Sequence, residues 1–220
     1  MQKNKDKVAL IAGIENQVGA TAAAKLMDSG WSVLGVDILP EDELKMAKKF
    51  DEYYSLDMTN REKFKDAVTK MEANYGAIKV LFCTTGFEID RQSGTFLETS
   101  IEQWGKTLDG WLRSSINACA AVGPSMVNRK EGKIMILSPD FSKINEENIL
   151  NATGAGTLHG FAKSFGVEVA KDNVLVNCIY ANLPFDNEAI AANVQFLADS
   201  GNYVSAQVIS VRGKDKEVRA

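Results

Sequence analysis

The 220-residue chain carries one histidine, three cysteines and four prolines, and no apolar run long enough to span a bilayer. Each scarcity excludes something. A single imidazole, His159, leaves little material for a histidine-based metal site, and the sequence shows no Ser, Cys or carboxylate paired with it for nucleophilic chemistry. Cys83, Cys119 and Cys178 are odd in number, far apart in sequence and set among apolar neighbours. They read as buried thiols in a reducing compartment and show no metal-ligand spacing, so no metal site is expected. With few prolines and no Ser/Gly-rich linker, residues 1–220 read as a single domain.

Charge of one sign is also missing. Twenty-five basic and 29 acidic residues, net −4, are spread along the chain, which gives no electrostatic footprint for nucleic acid or anionic lipid. Lys3, Lys5, Lys7 and, at the other end, Lys214, Lys216 and Arg219 read as solvated tails. The apolar run from Val8 to Ile14 stops at Glu15 and Asn16, too soon for a secretory signal. A first buried strand is the better reading, and with no membrane span the expected location is cytoplasmic.

What is present is an ordinary globular composition, 45% apolar and 25% charged with 17 glycines. Short Val/Ile-rich runs alternate with stretches of helical periodicity, the mark of β-α-β units around a buried parallel sheet. Strands are predicted near Val8–Ala12, Ser32–Val36, Glu52–Leu56, Val80–Cys83, Lys133–Leu137, Leu175–Ile179 and Val208–Val211. Helices are predicted over Val18–Ser29, Glu41–Phe50, Arg61–Tyr75, Ile101–Asn128, Asn151–Lys171 and Asn187–Asp199. Thr59 and Glu62 look like a capping box for the third helix. On the fifth, Leu158, Phe161, Ala162, Phe165 and Val169 form one stripe, suited in part to the sheet and in part to a subunit interface.

The first strand runs into a glycine-containing turn, Ala12-Gly13-Ile14-Glu15-Asn16-Gln17-Val18-Gly19, and the second ends in Gly35-Val36-Asp37. That is the layout of a dinucleotide-binding fold. Further landmarks follow in order. They are Leu56-Asp57-Met58-Thr59, Thr84-Thr85-Gly86, Trp104 with Leu108-Asp109, Gly132-Lys133-Ile134-Met135-Ile136-Leu137-Ser138, Gly160-Phe161 and Gln207-Val208-Ile209-Ser210-Val211-Arg212-Gly213. Through these residues the chain resembles the short-chain dehydrogenase/reductase family over nearly its full length. The resemblance implies an α/β, Rossmann-type, doubly wound parallel sheet of seven strands with helices on both faces.

Active members of that family use a Tyr as general acid/base, a Lys that lowers its pKa, a Ser that bonds the substrate oxygen and an Asn in a proton relay. The need is physical, because a free phenol with a pKa of ~10 exchanges protons poorly at neutral pH. With Gly160-Phe161 setting the register, the Tyr position falls on Asn151 and the Lys position on Ala155. The Asn position falls on Trp111, whose ring would occupy relay space. Counting from Gly132 puts the Ser at Pro139, whereas counting back from Asn151 favours Ser138. Lys163 and Tyr180 lie in the wrong places to substitute.

For the cofactor, resemblance assigns Gly13 and Gly19 to the diphosphate turn, Asp37 to a ribose hydroxyl, and Asp57 and Gly86 to the adenine side. Gln17 stands where a glycine is expected, and its side chain is expected to project into the phosphate space. Residues 183–186, Leu-Pro-Phe-Asp, are all that remains where relatives carry a substrate lid. The losses suggest no tightly bound cofactor, with NAD used by a partner. Small residues Ala118, Cys119, Ala121 and Gly123 on the fourth helix would allow close helix approach. The resemblance therefore implies a non-catalytic subunit that pairs with an active paralogous short-chain dehydrogenase. A stand-alone NAD(H)-sensing regulator and a lyase or isomerase with altered chemistry are the alternatives.

Overall fold

Val8–Ala12 forms strand β1 with every residue buried, and its alternation sorts the protein into two layers. Val8, Leu10 and Ala12 join one core and Ala9 and Ile11 the other, as the two-residue period of a strand dictates. A computed structural model describes residues 6–47, 49–84, 95–139, 149–181, 184 and 186–212. In it, β1 is followed by α1 (Gln17–Asp28), β2 (Ser32–Asp37), β3 (Glu52–Ser55), α2 (Arg61–Tyr75), β4 (Val80–Cys83) and α3 (Ile101–Leu108). Then come α4 (Ser114–Arg129), β5 (Gly132–Pro139), α5 (Ile149–Val169), β6 (Val174–Ala181), α6 (Asn187–Asp199) and β7 (Val208–Val211).

The seven strands pair in the order β3-β2-β1-β4-β5-β6-β7, all parallel. One face carries α2, α4 and α5, with Phe64, Met71, Val122, Met126 and Leu158 in its core. The opposite face carries α1 and α6, with Ala22, Leu26, Ile190, Val194 and Leu197. This is the Rossmann-type doubly wound sheet that the resemblance implied. In such sheets the sites lie at the C-terminal ends of the strands, where Ala12, Asp37, Cys83, Pro139 and Ala181 stand.

Several expectations need correction. The helix expected over Glu41–Phe50 is absent: only Glu41–Glu43 makes a 3-10 turn, and Leu44 is already extended with φ −65° and ψ 127°. The backbone N–H groups of Lys45, Met46 and Ala47 donate to the Glu15 carboxylate instead of to a helical ladder. The long fourth helix is interrupted by a π-helical turn, Asp109–Arg113, that separates α3 from α4. Asn60, not Thr59, caps α2, its side-chain oxygen accepting the Lys63 N–H. Lys7 is not a tail residue, because it pairs with Asp199 and lies over the Trp31 ring.

Two further readings shift. Cys83 and Cys119, distant in sequence, touch: the thiols are hydrogen-bonded, and this contact together with burial pushes Cys83 well up. On α4, Ala118, Cys119 and Gly123 turn inward onto the sheet and α5, so they serve the chain's own core. On the α5 stripe, Leu158, Ala162 and Val169 are buried, while Phe161 and Phe165 are partly buried, packed against the same core and stacked on each other. Among the described residues, no helix is long and apolar enough to cross a membrane.

Candidate functional site

The turn between β1 and α1 is built by its glycines. Gly13 has φ +89°, donates to the Val36 carbonyl at 2.8 Å, and would place a Cβ 2.6 Å from Thr84 Oγ1. A Cβ at Gly19 would lie 2.4 Å from the Gly13 carbonyl oxygen, so both positions exclude larger residues. Asn16 caps α1, accepting the Gly19 N–H at Oδ1 and donating from Nδ2 to the carbonyls of Gly13 and Thr84, each at 2.8 Å. The glycine turn thus keeps the shape that suits a diphosphate at a helix N-terminus.

Gln17 does not project into that space as expected. Its Oε1 accepts from Asn187 Nδ2 at 3.2 Å, which ties the start of α1 to the start of α6. Asp37, at the end of β2 and 9% exposed, already accepts two backbone N–H groups, Glu15 at 3.0 Å and Ile38 at 2.8 Å. Asp57 is exposed, and its Oδ1 accepts the Thr59 hydroxyl at 2.7 Å and the Thr59 N–H at 2.9 Å, which together hold its carboxyl below the ordinary value. Asn117 of α4 fastens that loop by donating to the Met58 and Thr59 carbonyls. Gly86 lies outside the described residues.

Sequence reasoning missed Glu15. Its carboxylate receives the Lys45 N–H at 2.6 Å and those of Met46 and Ala47 at 3.0 Å. Burial pushes its pKa up, but these three donors and the Lys45 ammonium override it and hold the group below its ordinary value. The neighbouring Tyr53 phenol, which donates to the Leu39 carbonyl, is driven far up by burial first and then by Asp37, Glu15 and Glu41. On the adenosine side of the cradle, then, Asp37 and Glu15 accept main-chain N–H groups of the turn and loop, and as carboxylates each keeps further acceptor capacity. An acid inside the glycine turn was the available signal.

The positions that the resemblance assigns to the catalytic residues are packed into the protein interior. Asn151 and Ala155 sit one turn apart near the start of α5, both buried. Trp111, in the π turn, is 3% exposed and belongs to the same core as Ala155. A Cβ at Gly154 would lie 2.9 Å from Trp111 Cε3, so the indole fills the ground between the π turn and α5. An amide, a methyl and an indole cannot shuttle a proton from an alcohol.

Ser138 and Pro139 project to opposite sides of β5. The Ser138 hydroxyl is fully buried on the α5 side, in register with Tyr180 of β6. It lies 3.0 Å from His159 Nε2, two turns beyond Asn151. Here the sequence reading is overturned, since His159 does have a serine partner; its ring also meets Tyr180 edge-on, with centroids 5.0 Å apart. Burial pushes the Cys178 thiol up to about 12, while a hydrogen bond from Ser138 opposes the shift. With its hydroxyl buried and bonded to the part-buried ring, Ser138 is a satisfied polar group at the edge of the core.

In the segment 183–186, Asp186 caps α6 by accepting the Ala189 N–H at 3.0 Å; Leu183 and Phe185 lie outside the described residues. A cleft of about 350 Å³ lined by Lys7, Trp31, Lys79, Lys133 and Asp199 opens at the N-terminal ends of the strands, the wrong end of the sheet for this chemistry. Among the described residues no group of three or more His, Cys, Asp or Glu side chains could hold a metal.

Comparison with known proteins agrees with this layout. The family profile described as short chain dehydrogenase matches residues 7–183. A 3-oxoacyl-[acyl-carrier-protein] reductase of Thermotoga maritima is 25% identical, over 94% of this chain and 96% of its own. An acetoacetyl-CoA reductase of an Acinetobacter species is 24% identical, over 96% and 98%. Among solved structures, ElxO with NADP bound superposes with a TM-score of 0.84 at 19% identity, covering 94% of this chain and 97% of that one. At that identity the likeness speaks for the fold.

Proposed function

We propose, from the premise that the chain belongs to the short-chain dehydrogenase family, that it is a non-catalytic subunit of a hetero-oligomeric NAD-dependent dehydrogenase. Catalysis falls to a paralogous subunit, in a heterotetramer. One observation carries the reading: where the family places Tyr and Lys, this chain has Asn151 and Ala155, both buried, with the buried indole of Trp111 packed against the intervening Gly154. Loss of general acid/base catalysis alone costs roughly 10²–10⁴ in rate. The scaffold, by contrast, is complete in all seven strands.

The pattern of losses is similar to that of the inactive subunit of the two-subunit dehydrogenase of anaerobic toluene degradation, which oxidises 2-[hydroxy(phenyl)methyl]succinyl-CoA with NAD. A hydroxyacyl thioester is accordingly the substrate class proposed for the complex. Purification of the native assembly tests the reading. It expects a stoichiometric short-chain dehydrogenase carrying Tyr and Lys, and no NAD-linked oxidation by this chain alone; a single-chain species that oxidises hydroxyacyl thioesters by itself sinks it.

The retained geometry of Gly13 and Gly19 favours a second reading, a cytoplasmic regulator that senses NAD(H). Titration of the isolated chain with NADH separates the two, since tight and saturable binding without a partner belongs to the sensor.

A further inference from the structure

Glu15 leaves the turn after β1 and ends on the loop after β2, on the backbone N–H groups of three successive residues, Lys45, Met46 and Ala47. Three convergent main-chain donors form a concavity suited to an anion. The Glu15 N–H, meanwhile, is bonded to Asp37 Oδ2. One residue therefore engages both the acid at the end of β2 and the loop beyond it. In dinucleotide-binding sheets a ribose hydroxyl is held at that acid, while the diphosphate lies at the helix N-terminus.

We propose that Glu15 is an internal latch. Its carboxylate occupies the anion nest of residues 45–47 and closes the turn onto the loop across the ground an adenosine ribose needs, so the chain keeps dinucleotide out until the latch opens. The inference rests on the reading of a cradle retained without its chemistry, and it gives weak dinucleotide binding a cause other than decay. The backbone cradle at Gly13 and Gly19 is intact, so what must move is one side chain and the loop it holds. The Lys45 ammonium beside the carboxylate adds to its hold.

The latch also explains why residues 44–47 are not helical. Continuing the 3-10 turn at Glu41–Glu43 into a helix would direct these N–H groups to carbonyls four residues back. Glu15 takes them instead, and a charged acceptor makes the stronger bonds.

The test uses the full chain with Glu15→Gln, which keeps the size and one acceptor, and Glu15→Ala, which removes the latch. NADH binding is followed by calorimetry, and amide hydrogen exchange is read at residues 45–47. The expected result is faster exchange at those amides in Glu15→Ala, together with NADH affinity raised by at least about tenfold over the parent, and an intermediate gain in Glu15→Gln. Opened amides with unchanged NADH affinity overturn the proposal. So does a parent chain that binds NADH while its 45–47 amides stay protected. Failure of the latch leaves NAD-linked oxidation by the isolated chain still absent, whereas failure of the non-catalytic reading appears as that activity in the parent itself.

Discussion

The indole of Trp111 lies against Gly154, so closely that a Cβ on residue 154 would stand 2.9 Å from Cε3. The π turn and the first turns of α5 are held together by this contact between a large ring and a residue with no side chain. Trp111→Ala is expected to destabilise the fold by about 3–5 kcal/mol, the cost of emptying a large buried site. Urea denaturation checks it; a loss below about 1 kcal/mol would show the ring to be dispensable.

Restoring the family Tyr and Lys is expected to cost stability without restoring chemistry. Ala155 is buried in the same core as Trp111, so Ala155→Lys places an ammonium among apolar side chains and is expected to lower stability by more than about 2 kcal/mol. Asn151→Tyr with Ala155→Lys is expected to leave the isolated chain without NAD-linked oxidation of hydroxyacyl thioesters. Absorbance of NADH at equal protein concentrations measures this, and turnover by the double variant would refute it.

Glu15 makes the stability of the turn depend on pH. Its folded pKa lies below the ordinary value of 4.5, so the stabilisation is fully present above 4.5 and is lost as pH falls through the lowered folded value. Glu15→Gln is expected to cost about 1 kcal/mol at neutral pH, discounted for partial exposure, with the difference from the parent vanishing in acid. Thermal melts from pH 7 down to pH 3 decide it; a gap that stays constant counts against the linkage.

The Ser138–His159 pair predicts a coupling energy. Ser138→Ala and His159→Ala, with the double variant, should show an interaction of about 0.5–1.5 kcal/mol, since each single change takes a bonding partner from the buried hydroxyl or the part-buried ring. An additive cycle would assign the 3.0 Å approach no energetic role.

The strands were legible because their burial imposes a simple composition. Val8–Ala12, Val80–Cys83 and Val208–Val211 match their predicted bounds, and α6 does so as well, with Asp186 as its cap. What escaped lay in long-range hydrogen bonding. Glu41–Phe50 has helical periodicity, but its donors are claimed by Glu15, some thirty residues earlier. His159 and Ser138 meet only because the α5 and β5 faces are packed, which no local spacing records. Likewise Cys83 and Cys119 meet through the seating of α4 on β4. The tight turn at Gly13 and Gly19 and the strand-end place of Asp37 were legible in their motif, whereas the bonds of Glu15 to residues 45–47 were not.

The position of β1 has a consequence during synthesis. It leaves the ribosome before any other strand, yet it lies inside the sheet, between β2 and β4. Its β2 side closes once Asp37 has emerged, but its other edge stays open until Cys83 is out. A nascent chain halted between those residues presents the unpaired backbone edge of an entirely apolar strand, the kind of template on which chains join one another. That interval, rather than the addition of β5, β6 and β7 at a growing margin, is where translation most needs a chaperone.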